Sequence, residues 1–221
     1  MLDWPLPAVS YRAFLTDLRS FFATQRDDPS RLAVLAIVVG TALVPLVAQL
    51  SLTSVVVVGT NSGPTLSYAV GDQTVDVAVS LITGSVVSFA SALVYWLVAT
   101  VGAYLLTATI SEAGDLRTTF WILGWGFGPV LLSGVVWLIA MVVSIQMTPT
   151  PETAAGSAEF VREVQKTELV RATQYLDGVA IVLAGGLWTV GIQVLRRVQW
   201  WQAALAAVPG VIVQILPYLL L

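Results

Sequence analysis

Apolar positions fall in long runs separated by short polar segments, and this alternation lays out most of the architecture. Residues 32–52 form the first run, close to the ~20 apolar residues that an α-helix needs to cross a hydrocarbon core. Pro45 lies within it and predicts a kink, because it lacks an N–H and crowds the carbonyl one turn back. Residues 55–58 are β-branched and either extend that helix or start an external strand. Residues 59–76, rich in Gly, Ser, Thr and Asn, read as an external loop.

Residues 77–110 are too long for one simple span and too short for two, at about 51 Å of helix against a ~30 Å core. The second span is placed at residues 89–110, with residues 77–87 projecting from the membrane or lying on its surface. The third span, residues 118–145, contains Gly124, Gly126 and Gly128 followed directly by Pro129, and should be broken or bent there. Residues 148–177 form an external polar segment, read as a solvated helical connector. Its Glu159/Arg162, Glu163/Lys166 and Glu168/Arg171 pairs are spaced to favour helix. Residues 176–195 and 200–220 complete five spans, the last containing Pro209 and Pro217. The expected fold is an all-α polytopic membrane protein, with residues 1–31 preceding a five-span membrane domain over residues 32–221.

Residues 1–31 carry mixed charge and no apolar core of a signal peptide. Phe14, Leu15, Leu18, Phe21 and Phe22 fall at helical spacing, with Arg12, Asp17, Arg19 and Arg26 mostly on other faces. Two placements follow: an amphipathic helix lying in the membrane interface, or one packed on the cytoplasmic ends of the spans. Asp28-Pro29-Ser30 resembles a helix start, with Asp28 as N-cap.

Composition agrees with the pattern: only 10% of residues are charged, against about 25% in a soluble domain. With the N-terminus inside, Arg12, Arg19, Arg26, Arg31, Arg117, Arg196 and Arg197 fall on the cytoplasmic side, against Arg162, Lys166 and Arg171 outside. That bias predicts a cell-membrane protein with a cytoplasmic N-terminus and an external C-terminus. Trp4, Trp121, Trp188, Trp200 and Trp201 lie near span ends, where indoles prefer to sit. Acidic residues outnumber basic ones, 13 to 10, and the chain is poor in Lys and free of Cys, a composition suited to a salt-loving prokaryote.

The chemical inventory excludes much. With neither Cys nor His there is no thiolate or imidazole for a catalytic dyad, zinc or haem, and no metal or other cofactor is implied. The only lysine, Lys166, lies in a polar segment, which rules out a retinal Schiff base within a span. No basic patch suits nucleic acid, and no acidic or basic residue lies mid-span to relay protons. An enzyme is not expected.

Three constellations remain. Gly124 and Gly128 share a helix face that admits another backbone, with Gly126 nearly opposite. Together with Trp125 and Pro129 they mark either helix packing or a discontinuous helix whose freed carbonyls, notably that of Trp125, line a cavity or meet a partner. Glu112, Gly114, Asp115 and Arg117 occupy the turn before the third span. They serve topology, or they tie the cytoplasmic face together by contacts to Arg196, Arg197 or the N-terminal helix. Gln49, Gln193 and Gln214 lie at or near membrane depth, where they hydrogen-bond across helices or line a solute path.

Five spans, a Glu-x-Gly turn at Glu112–Gly114, and a third span reading Gly124-Trp125-Gly126-Phe127-Gly128-Pro129 resemble the Ypt-interacting-protein (Yip) domain family. Its Gly-aromatic-x-x-x-Pro pattern is matched by Gly124, Trp125 and Pro129, and Phe21-Phe22 ahead of Pro29 is also similar. The resemblance covers residues 10–221. It implies a membrane protein of the kind that, in eukaryotes, acts in early secretory traffic, associates with Rab-type GTPases and with its own kind, and shapes membranes. The eukaryotic Asp-Leu-Tyr-Gly-Pro motif is absent, so Rab binding does not carry over to this chain. The resulting expectation is a non-enzymatic protein whose partners are the lipid bilayer and either a second copy or another membrane protein. The alternatives are a small-solute channel or facilitator built on the broken third span, and a structural subunit of a larger complex.

Overall fold

The computed structural model describes residues 11–56, 65–70, 73–149 and 154–220. The elements run α1 (Tyr11–Thr16), α2 (Leu18–Asp27), α3 (Arg31–Val56), β1 (Thr65–Val70), β2 (Gln73–Ala78), α4 (Val79–Ala108), α5 (Leu116–Gly124), α6 (Phe127–Met147), α7 (Ala154–Lys166), α8 (Glu168–Arg196) and α9 (Trp200–Leu220). Helices Arg31–Leu52, Phe89–Ala108 and Glu168–Arg196, together with the interrupted stretch Leu116–Met147, are long and apolar enough to cross a membrane; α9 is a further, shorter apolar helix. The molecule is a multi-pass, essentially all-α membrane protein.

Part of the segment read as a loop is a hairpin. β1 and β2 pair antiparallel, in register from Thr65↔Ala78 to Val70↔Gln73. Leu66, Tyr68 and Val70, then Val75 and Val77, recur at every second position, the period of a strand, in a stretch otherwise rich in turn-forming residues. α4 follows without a break at Val79, so the apolar residues before Phe89 continue the same helix as the second span. Residues 57–64 lie outside the described residues, as does Trp4. α3 runs through Pro45 as one element and reaches Val56.

Asp28 does not start α3. It closes α2, its backbone N–H donating to the Thr24 carbonyl. Ser30 takes the position before α3 because Gln25, buried, binds it twice: Ser30 N–H donates to Gln25 Oε1 at 2.8 Å, and Gln25 Nε2 to Ser30 Oγ at 3.1 Å.

The chain forms two compact units. One comprises residues 1–38, 93–130 and 179–221; the other comprises residues 39–92 and 131–178. The first has an aromatic core around Phe21, Phe22, Trp96, Trp125, Phe127 and Trp188. α2 belongs to that core. Phe21 and Phe22 are buried and Phe21 meets the Trp125 ring edge-on at 4.9 Å, so of the two N-terminal placements the packed one is realised. Trp188 is also a core residue, 1% exposed, and not a member of an interfacial belt, whereas Trp200 and Trp201 stay exposed.

In the second unit, Ala140, Met141 and Ile145 of α6 pack with Phe160 and Val164 of α7 and Val170 of α8. The polar segment is therefore amphipathic and half-anchored, more than a solvated connector. Its expected ion pairs are not formed: Glu159, Glu163 and Glu168 make none with Arg162, Lys166 or Arg171.

Candidate functional site

The third span is interrupted inside the first unit. α5 ends at Gly124, Trp125 and Gly126 form a turn, and α6 begins at Phe127. Here the chain tightens: Trp125 N–H donates to the Ile122 carbonyl at 3.3 Å and Gly126 N–H to the Leu123 carbonyl at 3.1 Å, both three residues back. Pro129 brings no N–H to the Trp125 carbonyl four residues earlier, and Gly128 N–H takes its place at 3.0 Å. The carbonyl recruited by a neighbouring helix is therefore that of Leu123, not Trp125 as expected. It accepts the indole N–H of Trp188 at 2.6 Å.

Two of the three glycines are met closely by another segment. A Cβ on Gly124 would lie 2.1 Å from Val34 Cγ1, and one on Gly126 would lie 2.0 Å from Trp188 Nε1. Both approaches are closed to any larger residue. Gly128 has nothing within 4 Å of its Cβ position. The shared Gly124/Gly128 face expected from spacing is thus not how the glycines are used; Gly124 and Gly126 are the occupied pair, because the turn at Trp125–Gly126 breaks the regular helical phase between 124 and 128. Trp125 is buried under α1 and α2, against Phe14 and Phe21. Pro129 is half-buried at the start of α6.

The turn before α5 is gripped from the end of α8. Arg196, 2% exposed, donates from Nη1 to the Gly114 carbonyl at 2.6 Å and from Nη2 to the Ser111 carbonyl at 2.7 Å. Ser111 Oγ returns a bond to the Arg196 carbonyl. The guanidinium carbon sits 5.0 Å from the Tyr104 ring centroid, a cation–π contact. Main-chain carbonyls, and no carboxylate, thus hold this buried cation. Gly114 adopts φ 74°, a left-handed conformation that glycine reaches without strain.

Asp115 is the N-cap of α5, Oδ1 accepting Thr118 N–H at 2.7 Å. Hydrogen bonds from Thr118, side chain first and then backbone, hold the Asp115 carboxyl below its usual range. Glu112 and Arg117 are exposed. The cross-links expected from this turn's charged side chains are made instead by its backbone. At the same end, Arg26 holds the Asp27 carboxyl below its usual range by hydrogen bonding and charge, with a smaller effect from Arg197.

Of the three glutamines, Gln193 and Gln214 belong to the first unit and Gln49 to the second. Gln193 accepts a long 3.4 Å bond from Arg19, one turn before α8 ends, and Gln49 is engaged and half-buried in α3. Gln214 is 8% exposed and neither amide atom finds a partner; the buried Thr100 hydroxyl likewise lacks one. Among the residues that organise this region, sequence reasoning misplaced Trp188 at a span end and gave no role to Val34 or Ser111. Spacing to a remote helix leaves no local signal, although a tryptophan two turns inside a span was a hint.

No curated protein and no solved structure matches this chain. A family model described as the Yip1 domain does match, over residues 12–221. A polytopic helical chain whose third span breaks at Gly124-Trp125-Gly126 under a docked N-terminal helix, and which fits that family along nearly its full length, belongs to the Yip1 domain family.

Proposed function

We propose that this Yip1-domain protein works by association within the bilayer, with a second copy or another membrane protein, in membrane organisation and not in catalysis. The observation that carries this reading is that the break in the third span is filled from within the chain. Val34 occupies the approach at Gly124, and Trp188 occupies that at Gly126 while donating to the Leu123 carbonyl, which also accepts the Gly126 N–H. A break lined for conduction would leave such carbonyls facing water. Gly128 is the one glycine of the three with room beside it, which suits close approach by a helix from outside the chain.

Gly128→Leu is the direct test. With no neighbour within 4 Å of the Cβ position, it should leave the thermal midpoint in detergent almost unchanged while collapsing crosslinked oligomers in membranes to monomer. A crosslinking pattern identical to wild type would sink the proposal. The solute-facilitator reading draws support only from the unpartnered Gln214 amide and Thr100 hydroxyl. Small-solute flux in proteoliposomes that disappears in Gln214→Leu would favour it. The arginine bias further supports a cytoplasmic N-terminus, which accessibility labelling of a single introduced cysteine can reverse or uphold in this cysteine-free chain.

A further inference from the structure

We propose that the first unit binds the headgroup of an anionic phospholipid between Arg31 and Arg117, on a platform made by Trp121. Arg31 is the first residue of α3, and Arg117 lies in the first turn of α5; both helices open candidate membrane spans at these residues. Arg117 and Trp121 are four residues apart, so they share one face of α5. The Arg31 guanidinium carbon stands 6.0 Å from the centroid of the Trp121 ring. One exposed guanidinium is therefore held near the Trp121 ring, and a second exposed arginine lies one turn before it on the same face of α5, where two candidate spans begin.

Among the described residues neither arginine forms an ion pair. Among the described residues the ion pair recorded is Arg26 with Asp27, and Asp115, the acid nearest Arg117 in sequence, is committed to capping α5. The Trp121 indole N–H is covered yet has no acceptor. What the indole offers a headgroup site is therefore its ring, near which Arg31 is held. Guanidinium suits phosphate because its paired N–H groups match two oxygens. The position at the start of two spans selects a lipid headgroup over a phosphate free in solution, since acyl chains would run along the apolar helices below it.

The test is native mass spectrometry of the full chain from mixed micelles containing phosphatidylglycerol and phosphatidylcholine. Wild type should retain phosphatidylglycerol preferentially. Each arginine near an anionic headgroup contributes about fivefold, so Arg31→Gln/Arg117→Gln should lose about twenty-fivefold in that preference, while Arg162→Gln, on α7 of the other unit, should lose nothing. An unchanged thermal midpoint in neutral detergent without lipid confirms that the double variant is folded. Equal retention of the two lipids, or undiminished phosphatidylglycerol binding by a folded double variant, overturns the proposal. Displacement of the lipid by millimolar inorganic phosphate would also overturn it, in favour of a soluble anion.

Discussion

The two units solve the packing problem differently. In the first, large aromatic side chains are fitted against glycines and their polar atoms are directed to remote main-chain carbonyls. Trp188 donates to Leu123 at 2.6 Å, Trp96 to Phe120 at 2.8 Å, and Arg196 to Gly114 and Ser111. In the second, the core is smaller and mainly aliphatic around Phe160, and its described tie is the 2.8 Å bond between Ser144 and Thr167. Where no hydrophobic effect drives helices together inside lipid, shape fit and hydrogen bonds must do so. The first unit relies on both, so its positions should tolerate change least.

Glycine substitutions test this contrast most strongly. Gly126→Ala places a methyl 2.0 Å from the Trp188 indole and should cost about 3 kcal/mol, seen as a large fall in unfolding midpoint in detergent. Gly134→Ala in the second unit meets Val44 Cγ1 at 3.2 Å, a contact that a small side-chain shift relieves, and should cost under about 1 kcal/mol. Equal losses would erase the distinction between the units.

Arg196→Met ranks next. It removes the donors from the Ser111 and Gly114 carbonyls, and the expected loss is about 2 kcal/mol once relief of the buried charge is counted against it. Arg196→Lys should recover little, because one ammonium does not reproduce the fork that spans both carbonyls. Full stability in the lysine variant would show that charge alone matters here. Ser144→Ala should cost about 0.6 kcal/mol, typical of hydrogen bonds between membrane helices, and a larger loss would place the second unit in the same class as the first.

The smallest effect is acid sensitivity at the Arg196-held turn. Asp115 titrates below its ordinary value of 3.8 in the folded chain. Its capping contribution is therefore complete above that value and is lost as pH falls further, through the lowered value itself. Solvent screening keeps the effect slight. Asp115→Asn, which keeps a capping oxygen, should flatten the acid limb of the stability profile; an unaltered limb would assign it to other carboxylates.

The contrast also explains what was legible. The multi-pass helical character could be read because every lipid-crossing helix must present about 20 apolar residues whatever it packs against. The interruption at Gly124–Pro129 was visible for a similarly local reason, since glycine and proline penalise a helix wherever they stand. Its occupants were not visible. Trp188 lies 65 residues from the carbonyl it binds, and Arg196 lies 82 and 85 residues from its two acceptors. The hairpin was obscured for the opposite reason: a period of two was present at Leu66, Tyr68 and Val70, but turn-forming composition outweighed it.

By itself, then, the order of residues determined a multi-pass helical protein with a weak point in its third span, because lipid imposes the same demand on each crossing segment separately. Tertiary structure alone decided that Gly124 and Gly126 would be the filled positions and Gly128 the open one. It alone decided that Phe21 and Phe22 would enter the core, and that a buried arginine would rest on backbone carbonyls. Those outcomes depend on which surfaces meet, and close packing between distant segments leaves no periodic trace in any one of them.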